Sequence, residues 1–285
     1  MIADKAGIIV NTIYGNLDAY SGIYFFVAGT LYTLQLYTDF LSCTTLSRGA
    51  ALLFGIKLVD NFNQPFFAGS IRDFWKRWHI SLSSWLRDYV YIPLGGNRKG
   101  MIRKWCNLML TFLVSGIWHG GTLKFIFWGL MHSIYQIIGE LTFHIRDRIW
   151  QVSGVRSLRL KQAFRITGTS FLFMISMIIF RADTLTIGLW MIRSMFVDFN
   201  PWVLSGRYMY NLGLSQNEWS VLLCSVFILF AVSLCHEKNI FVGEHLMKMN
   251  VVFRYAIYLC SILIVTIYGS YGFGFNASDF IYRGF

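Results

Sequence analysis

Residues 115–133, SGIWHGGTLKFIFWGLMHS, place two histidines inside a largely apolar run. His119 lies between Trp118 and a Gly-Gly pair, and His132 follows one short helix later. Adjacent glycines interrupt a helix, because glycine loses more backbone freedom on ordering than any other residue. The stretch therefore predicts two apolar helices joined at 119–124, with one histidine at the end of the first helix and one inside the second.

The composition of the 285-residue chain indicates a membrane protein. Hydrophobic residues make up 55% of it and charged residues only 14%, whereas soluble domains have about 25% charged residues. A helix needs about 20 apolar residues to cross the hydrocarbon core, with some tolerance. We predict an all-α polytopic membrane protein, a single membrane-embedded domain over 1–285, with about six transmembrane helices plus surface or re-entrant amphipathic helices. The predicted spans are 19–38, 105–118, 125–139, 166–180, 219–235 and 255–272.

The net charge of +11 follows the predicted topology. With the N-terminus outside, the segments 48–104, 146–165 and 238–254 lie on the inner side and hold 19 of the 25 Lys and Arg residues. This asymmetry is the one that cytoplasmic loops of membrane proteins carry. It accounts for the basic character of the chain without a nucleic-acid partner.

The inner segment contains an amphipathic stretch, residues 73–98. On a helical wheel, apolar side chains such as Phe74, Trp78 and Trp85 share one arc, with basic residues opposite. This pattern predicts one helix at the membrane surface, which stops at Pro93 and the glycine turn that follows. His79 falls on the apolar arc and is expected to point toward the protein interior.

Ionisable residues inside a membrane protein are functional candidates, and three chemistries compete for the histidines. Metal binding by His79, His119 and His132 is disfavoured, because no carboxylate or thiolate accompanies them at ligand spacing. A proton relay would need acidic residues along several spans, but Asp39 and Glu140 lie only at span ends. General-base catalysis needs one neutral imidazole, whose ordinary pKa is about 6.5, beside a hydroxyl. A purely structural interhelical hydrogen bond stays open for each histidine.

At these residues the chain resembles the membrane-bound O-acyltransferase family, of the alginate O-acetyltransferase type found in bacteria. The resemblance runs from about Tyr20 to the last residue and is most specific over 73–133. It is carried by DNFNQPF (60–66), DFWKRWHISLSSWLRDYVYIPLGGNR (73–98), GIWHGG (116–121), FWGLMHS (127–133), FRA (180–182) and YGFGFNASDFIYRGF (271–285).

The resemblance implies the C-terminal part of that family's fold, with His119 as the essential histidine of the WHG motif. It implies that His79, in the RWH motif, helps to form the same reaction chamber. We expect His119 to act as general base, with His79 as the second catalytic residue and no metal. The predicted substrate-binding residues are His132, Trp118, Trp128, Asn97 and Arg98.

The resemblance also implies the partners. The acyl donor is a cytoplasmic thioester such as acetyl-CoA, with no bound cofactor, and the acceptor is a hydroxyl of an extracytoplasmic polysaccharide or cell-wall polymer. A separate extracytoplasmic SGNH or esterase-like protein is expected to complete the transfer, and membrane lipid surrounds the chain. The expected location is the bacterial cytoplasmic (inner) membrane.

Two departures from the family pattern leave alternatives open. Relatives are longer, so the chain is expected to lack their N-terminal helices, and 39–45 reads DFLSCTT where relatives read something like DFSGYSD. One alternative transfers D-alanine from a carrier protein to teichoic acid. Another is a non-catalytic membrane fragment or assembly partner.

Overall fold

The computed structural model describes residues 1–154, 157–205 and 207–269. Within these ranges the chain is helical, and the only β-type pairing is an isolated bridge between Phe62 and Trp78. The predicted all-α class is confirmed. The helices are α1 (Ile2–Gly15), α2 (Ile23–Leu53), α3 (Ile71–Arg77), α4 (Ile80–Leu86), α5 (Met101–His119), α6 (Leu123–Leu141), α7 (Phe143–Val152), α8 (Leu158–Arg181), α9 (Leu185–Val197), α10 (Gln216–Glu237), α11 (Val242–Lys248) and α12 (Val251–Tyr268).

Each of the six predicted spans overlaps a helix, namely α2, α5, α6, α8, α10 or α12. The first overlap is partial, because α2 begins at Ile23 and continues to Leu53, well beyond the predicted end at 38. Among the described residues, α8, α10 and α12 are long and apolar enough to cross a membrane. Leu222 is the one buried residue of α10, and α12 has none, as expected of helices that contact lipid. The end of the predicted span 255–272 and the motif at 271–285 lie outside the described residues.

Contacts divide the chain into two compact units. Among the described residues, the first unit comprises 1–40, 198–205 and 207–269, and α1 and α10 pack against each other within it. There Lys5, buried on α1, lies 3.6 Å from the carboxylate of Glu218. The second unit comprises Leu41–Val197 and contains every residue of the predicted site.

The α5–α6 hairpin dominates the packing of the second unit. A Cβ built on Gly116 would lie 2.3 Å from the carbonyl oxygen of Phe125, and one on Gly129 would lie 2.2 Å from that of Phe112. Two helices approach this closely only where neither has a side chain at the crossing. The predicted hairpin is therefore confirmed, and glycine at both positions lets the two backbones touch.

The prediction of a single amphipathic helix that runs through 74–90 and stops at Pro93 is wrong. The structure breaks it at Trp78 and His79, where α3 ends and α4 begins after a residue with a φ of 45°. The left-handed residue turns the chain, so the two halves no longer share one apolar arc. Trp85, predicted on that arc, is 51% exposed. α4 continues into a π-helical turn (Arg87–Tyr91), and the chain leaves the helix near Pro93 as predicted.

The other helices lie partly where the sequence predicted no helix. The short apolar helix α9 packs against α8. The inner loop predicted over 146–165 is largely helical, because α7 and the first turns of α8 occupy it. No helix is predicted over α1, whose Asp4 and Lys5 interrupt its apolar run.

Candidate active site

Aromatic contacts connect the three predicted histidines. The ring of His79 lies 6.1 Å from that of Trp118, which lies 4.7 Å from that of His119. His119 lies 5.1 Å from Trp128, and Trp128 lies 4.9 Å from His132. We call these five side chains the ring cluster. It unites residues from the α3–α4 break, from α5 and from α6.

His119 is the last residue of α5, at the tip of the hairpin. Gly120 follows with a φ of 158°, and a Cβ there would lie 2.6 Å from the Phe125 ring. This backbone favours glycine, which explains the Gly that ends the helix after the histidine. His119 also contacts Phe180 of the FRA motif, with ring centroids 5.1 Å apart. Its side chain is partly exposed.

His132 is fully buried in α6, and both ring nitrogens have partners. Trp75 Nε1 lies 3.3 Å from His132 Nδ1, and His132 Nε2 lies 3.0 Å from Ser176 Oγ. An indole N–H can only donate, so Nδ1 accepts and the proton of the neutral ring resides on Nε2. Ser176 donates in turn to the carbonyl of Phe173 at 2.6 Å. The hydrogen bonds thus select one tautomer of His132.

His79 occupies the N-cap position of α4 and is 9% exposed. Its φ of 45° is uncommon for a residue with a side chain and costs free energy that the surroundings must supply. The ring contact with Trp118 brings His79 to the same side of the hairpin as His119. The predicted inward orientation of His79 is consistent with this burial, although the continuous helix from which it was inferred is absent.

The predicted substrate-binding residues occupy different environments. Trp128 is 2% exposed, whereas Trp118 is 53% exposed. Asn97 and Arg98 are exposed in the turn that follows the π-helical segment, and the ring cluster does not include them. Asn107 ties this turn to α5 by donating to the carbonyl of Gly96 at 2.9 Å.

Among the described residues, two buried polar atoms have no hydrogen-bond partner here: Trp128 Nε1 within the cluster and Ser115 Oγ beside it. Ser115 precedes His119 by four residues and so lies on the same side of α5. In the described ranges, no group of three or more His, Cys, Asp or Glu side chains is arranged to hold a metal ion.

The sequence did not reveal the polar partners of His132, Trp75 and Ser176, or the role of Asn61 in the turn at His79. Trp75 and Asn61 belong to the quoted motifs FWKRWH and DNFNQP, but their contacts depend on tertiary structure. Ser176 has no signal in the sequence beyond being a small polar residue within an apolar span, a type that often faces another helix.

Comparison with known proteins gives the following matches. The model of the MBOAT, membrane-bound O-acyltransferase family, matches residues 12–181. A protein of Azotobacter vinelandii named "Probable alginate O-acetylase AlgI" is 38% identical over 208 residues, which are 72% of this chain and 38% of that protein. The peptidoglycan O-acetyltransferase of Helicobacter pylori is 43% identical over 134 residues, 47% of this chain and 25% of the relative. The teichoic acid D-alanyltransferase of Bacillus subtilis is 35% identical over 140 residues, 47% of this chain and 33% of the relative.

The shared region is therefore a minor part of each relative. The chain spans about 38% of the length of the alginate O-acetylases that it matches. The matched family region contains the whole ring cluster.

Proposed function

Because the chain belongs to the membrane-bound O-acyltransferase family, we propose that it transfers an acetyl group from a thioester donor to a hydroxyl of a polysaccharide or cell-wall polymer. The observation that carries the proposal is the position of His119. This imidazole lies at the hairpin tip, partly exposed, within one ring cluster with His79. The similarity to O-acetyltransferases of alginate and peptidoglycan supports acetyl as the acyl group.

In the proposed reaction, His119 accepts the proton of the acceptor hydroxyl as the oxygen attacks the thioester carbonyl. The new C–O bond forms, the C–S bond breaks, and the proton on His119 passes to the departing thiolate. A positioned general base accelerates such a step by about 10²–10⁴-fold. His79 is the second catalytic residue, on the other side of Trp118, and accepts a hydrogen bond from the reacting groups.

His132 is assigned to the same site, but as a group that orients other side chains. Its two nitrogens are engaged by Trp75 and Ser176, so taking up a substrate proton would break one of these bonds. Its ring contact with Trp128 then holds the indole against His119. Trp118 and Trp128 are proposed to contact the substrate, the first from the exposed side and the second from the interior.

The donor is proposed to reach the site from the cytoplasmic side. Asn97 and Arg98, together with the basic residues of 48–104, would contact the phosphates of an anionic thioester such as acetyl-CoA. The charge asymmetry of the chain supports this orientation in the cytoplasmic membrane of a bacterium. The acceptor then lies outside, where an esterase-like partner protein completes the transfer.

The proposal is tested by acetyl transfer in membranes that carry the full chain. Radiolabelled acetyl-CoA is supplied to the cytoplasmic face and a hydroxyl-bearing polysaccharide to the opposite face. We expect labelled polymer with the wild type and a loss of at least about 100-fold with His119→Ala. Absence of transfer by the wild type would favour the non-catalytic assembly role.

A matched control is His144→Ala. His144 is an exposed histidine of α7 outside the ring cluster, so its removal is expected to leave transfer unchanged. Membrane insertion and expression of both variants are measured in parallel, because one partly exposed imidazole does not hold the helices together. Full activity of His119→Ala would exclude His119 as the base.

A further inference from the structure

The break between α3 and α4 is held by a segment that is distant in sequence. The backbone N–H of Asn63 donates to the carbonyl of Arg77 at 2.9 Å, and Phe62 pairs with Trp78 in the isolated bridge. The Phe62 and Trp78 rings also meet edge to face at 5.0 Å. The segment 61–63 therefore lies along the break and fixes the chain on both sides of His79.

Asn61 caps α4 in place of the N-cap residue. The first N–H groups of a helix have no partner within the helix, and the His79 side chain supplies none. Instead the N–H of Ile80 donates to the Asn61 carbonyl at 3.0 Å, and the N–H of Ser81 donates to Asn61 Oδ1 at 3.1 Å. Because Asn61 accepts the hydrogen bonds of these N–H groups, the His79 imidazole does not cap the helix and instead contacts Trp118.

The same contacts select a tautomer of His79. The Ser81 N–H identifies the Asn61 atom that it contacts as the oxygen. This oxygen also accepts a hydrogen bond from the Ser81 hydroxyl at 2.6 Å. The single hydroxyl proton of Ser81 therefore points to Asn61 and not to His79. His79 Nδ1 lies 3.5 Å from Ser81 Oγ, which toward this nitrogen can only accept. A proton on Nδ1 can therefore be donated to this oxygen, whereas a proton on Nε2 would leave the lone pairs of Nδ1 and of the oxygen facing each other.

We propose that Asn61 and Ser81 are positioning residues that hold His79 in its left-handed backbone and in the Nδ1–H tautomer. Nε2, on the opposite edge of the ring, is then the nitrogen that accepts a proton or a hydrogen bond in the reaction. The inference rests on the proposed function for the role of Nε2, but the tautomer itself is independent of turnover. His132 has the other tautomer, with its proton on Nε2. The two imidazoles therefore present different nitrogens as acceptors, Nε2 in His79 and Nδ1 in His132.

The tautomer is measured directly by solid-state nitrogen NMR on full chain labelled at histidine and reconstituted in lipid. Protonated and bare ring nitrogens have well-separated shifts, and the His79 signals are those that disappear in His79→Gln. We expect a protonated Nδ1 and a bare Nε2 in the wild type, and a mixture of both tautomers in Ser81→Ala. A bare Nδ1 in the wild type, or an unchanged spectrum in Ser81→Ala, would overturn the assignment.

Steady-state kinetics of acetyl transfer test whether the positioning of His79 affects the reaction. We expect Ser81→Ala to lower kcat about 10-fold with little change in KM for the thioester, and Ser81→Thr, which keeps the hydroxyl, to restore it. The control is Ser83→Ala, in the same turn, whose hydroxyl donates to the Trp78 carbonyl at 3.2 Å. A wild-type kcat in Ser81→Ala, or equal losses in both serine variants, would contradict the positioning role.

Asn61→Ala removes a cap as well as the tautomer contact, so we expect a larger loss of kcat than in Ser81→Ala. Asn63→Ala is its control, because the exposed Asn63 contacts the break through its backbone. The outcomes separate the two proposals. Transfer that survives His119→Ala rejects the proposed function alone, whereas an active wild type with an unaffected Ser81→Ala rejects only the positioning role.

Discussion

The indole N–H of Trp75 donates a 3.3 Å hydrogen bond to Nδ1 of His132. This bond joins α3 to α6, and the bond from Nε2 of the same ring to Ser176 extends the connection to α8. A buried imidazole that lacked one of these partners would lose free energy of folding, because buried polar groups are costly when unpaired. His132 therefore connects α3, α6 and α8 next to the proposed catalytic residues His119 and His79.

The first prediction compares two buried tryptophans of the same region. Trp75→Phe and Trp128→Phe both shorten a ring that is less than a tenth exposed, but only Trp75 donates a hydrogen bond there. Each change leaves a cavity, and the first also leaves His132 Nδ1 unpaired. We expect Trp75→Phe to lower the free energy of unfolding by about 1–3 kcal/mol more than Trp128→Phe.

Denaturant unfolding of the detergent-solubilised chain, followed by circular dichroism, measures this difference. Trp150→Phe serves as a background variant, because Trp150 packs on Phe164 away from the ring cluster. Equal stabilities of the Trp75 and Trp128 variants would show that the bond to His132 contributes nothing to folding.

The sequence was sufficient for features that depend on local pattern. Apolar runs predicted the six long helices, and the glycines around His119 predicted the hairpin tip. Both features depend on the residues of the segment itself, through its transfer from water and its backbone entropy, and not on distant parts of the chain. The break at His79 was not predictable from the wheel. It depends on Asn61, eighteen positions earlier in the chain, which supplies the hydrogen bonds that a continuous helix would have made internally.

The same distinction holds within the site. The presence of His119, His79 and His132 was evident from the cost of placing histidine in apolar sequence. Their different environments were not, since the hydrogen bonds of His132 come from Trp75 and Ser176 on other helices, and the contact between His79 and Ser81 depends on the break in the chain. Asn97 and Arg98 show the opposite case, in which a motif suggested a site but the side chains lie in an exposed turn outside the ring cluster.

The second prediction concerns the choice of acyl group. The ring cluster consists of indoles and imidazoles and includes no carboxylate. A D-alanyl thioester carries an ammonium group, whose desolvation is costly when no anion compensates it. We expect transfer from acetyl-CoA to exceed transfer from D-alanyl carrier protein by at least about 10-fold, measured on a single hydroxyl acceptor. Faster D-alanyl transfer would instead assign the chain to the teichoic acid branch of its relatives.

The third prediction tests the hairpin crossing. In Gly116→Ala or Gly129→Ala the new methyl group would meet backbone carbonyl oxygens at 2.3 Å and 2.2 Å, which cannot swing aside as a side chain can. We expect the helices to separate at a cost of at least about 1–3 kcal/mol. Because separation moves His119 away from Trp128, acetyl transfer should also be lost.

Gly139→Ala provides the matched control on α6. Its new Cβ would have no atom within 4 Å beyond its own helix and chain neighbours, and alanine favours a helix over glycine by about 0.5–1 kcal/mol. This variant is therefore expected to be as stable as the wild type or more stable, with transfer intact. If Gly116→Ala unfolded at the same denaturant concentration as Gly139→Ala and remained active, the close crossing would not be what brings the histidines of α5 and α6 together.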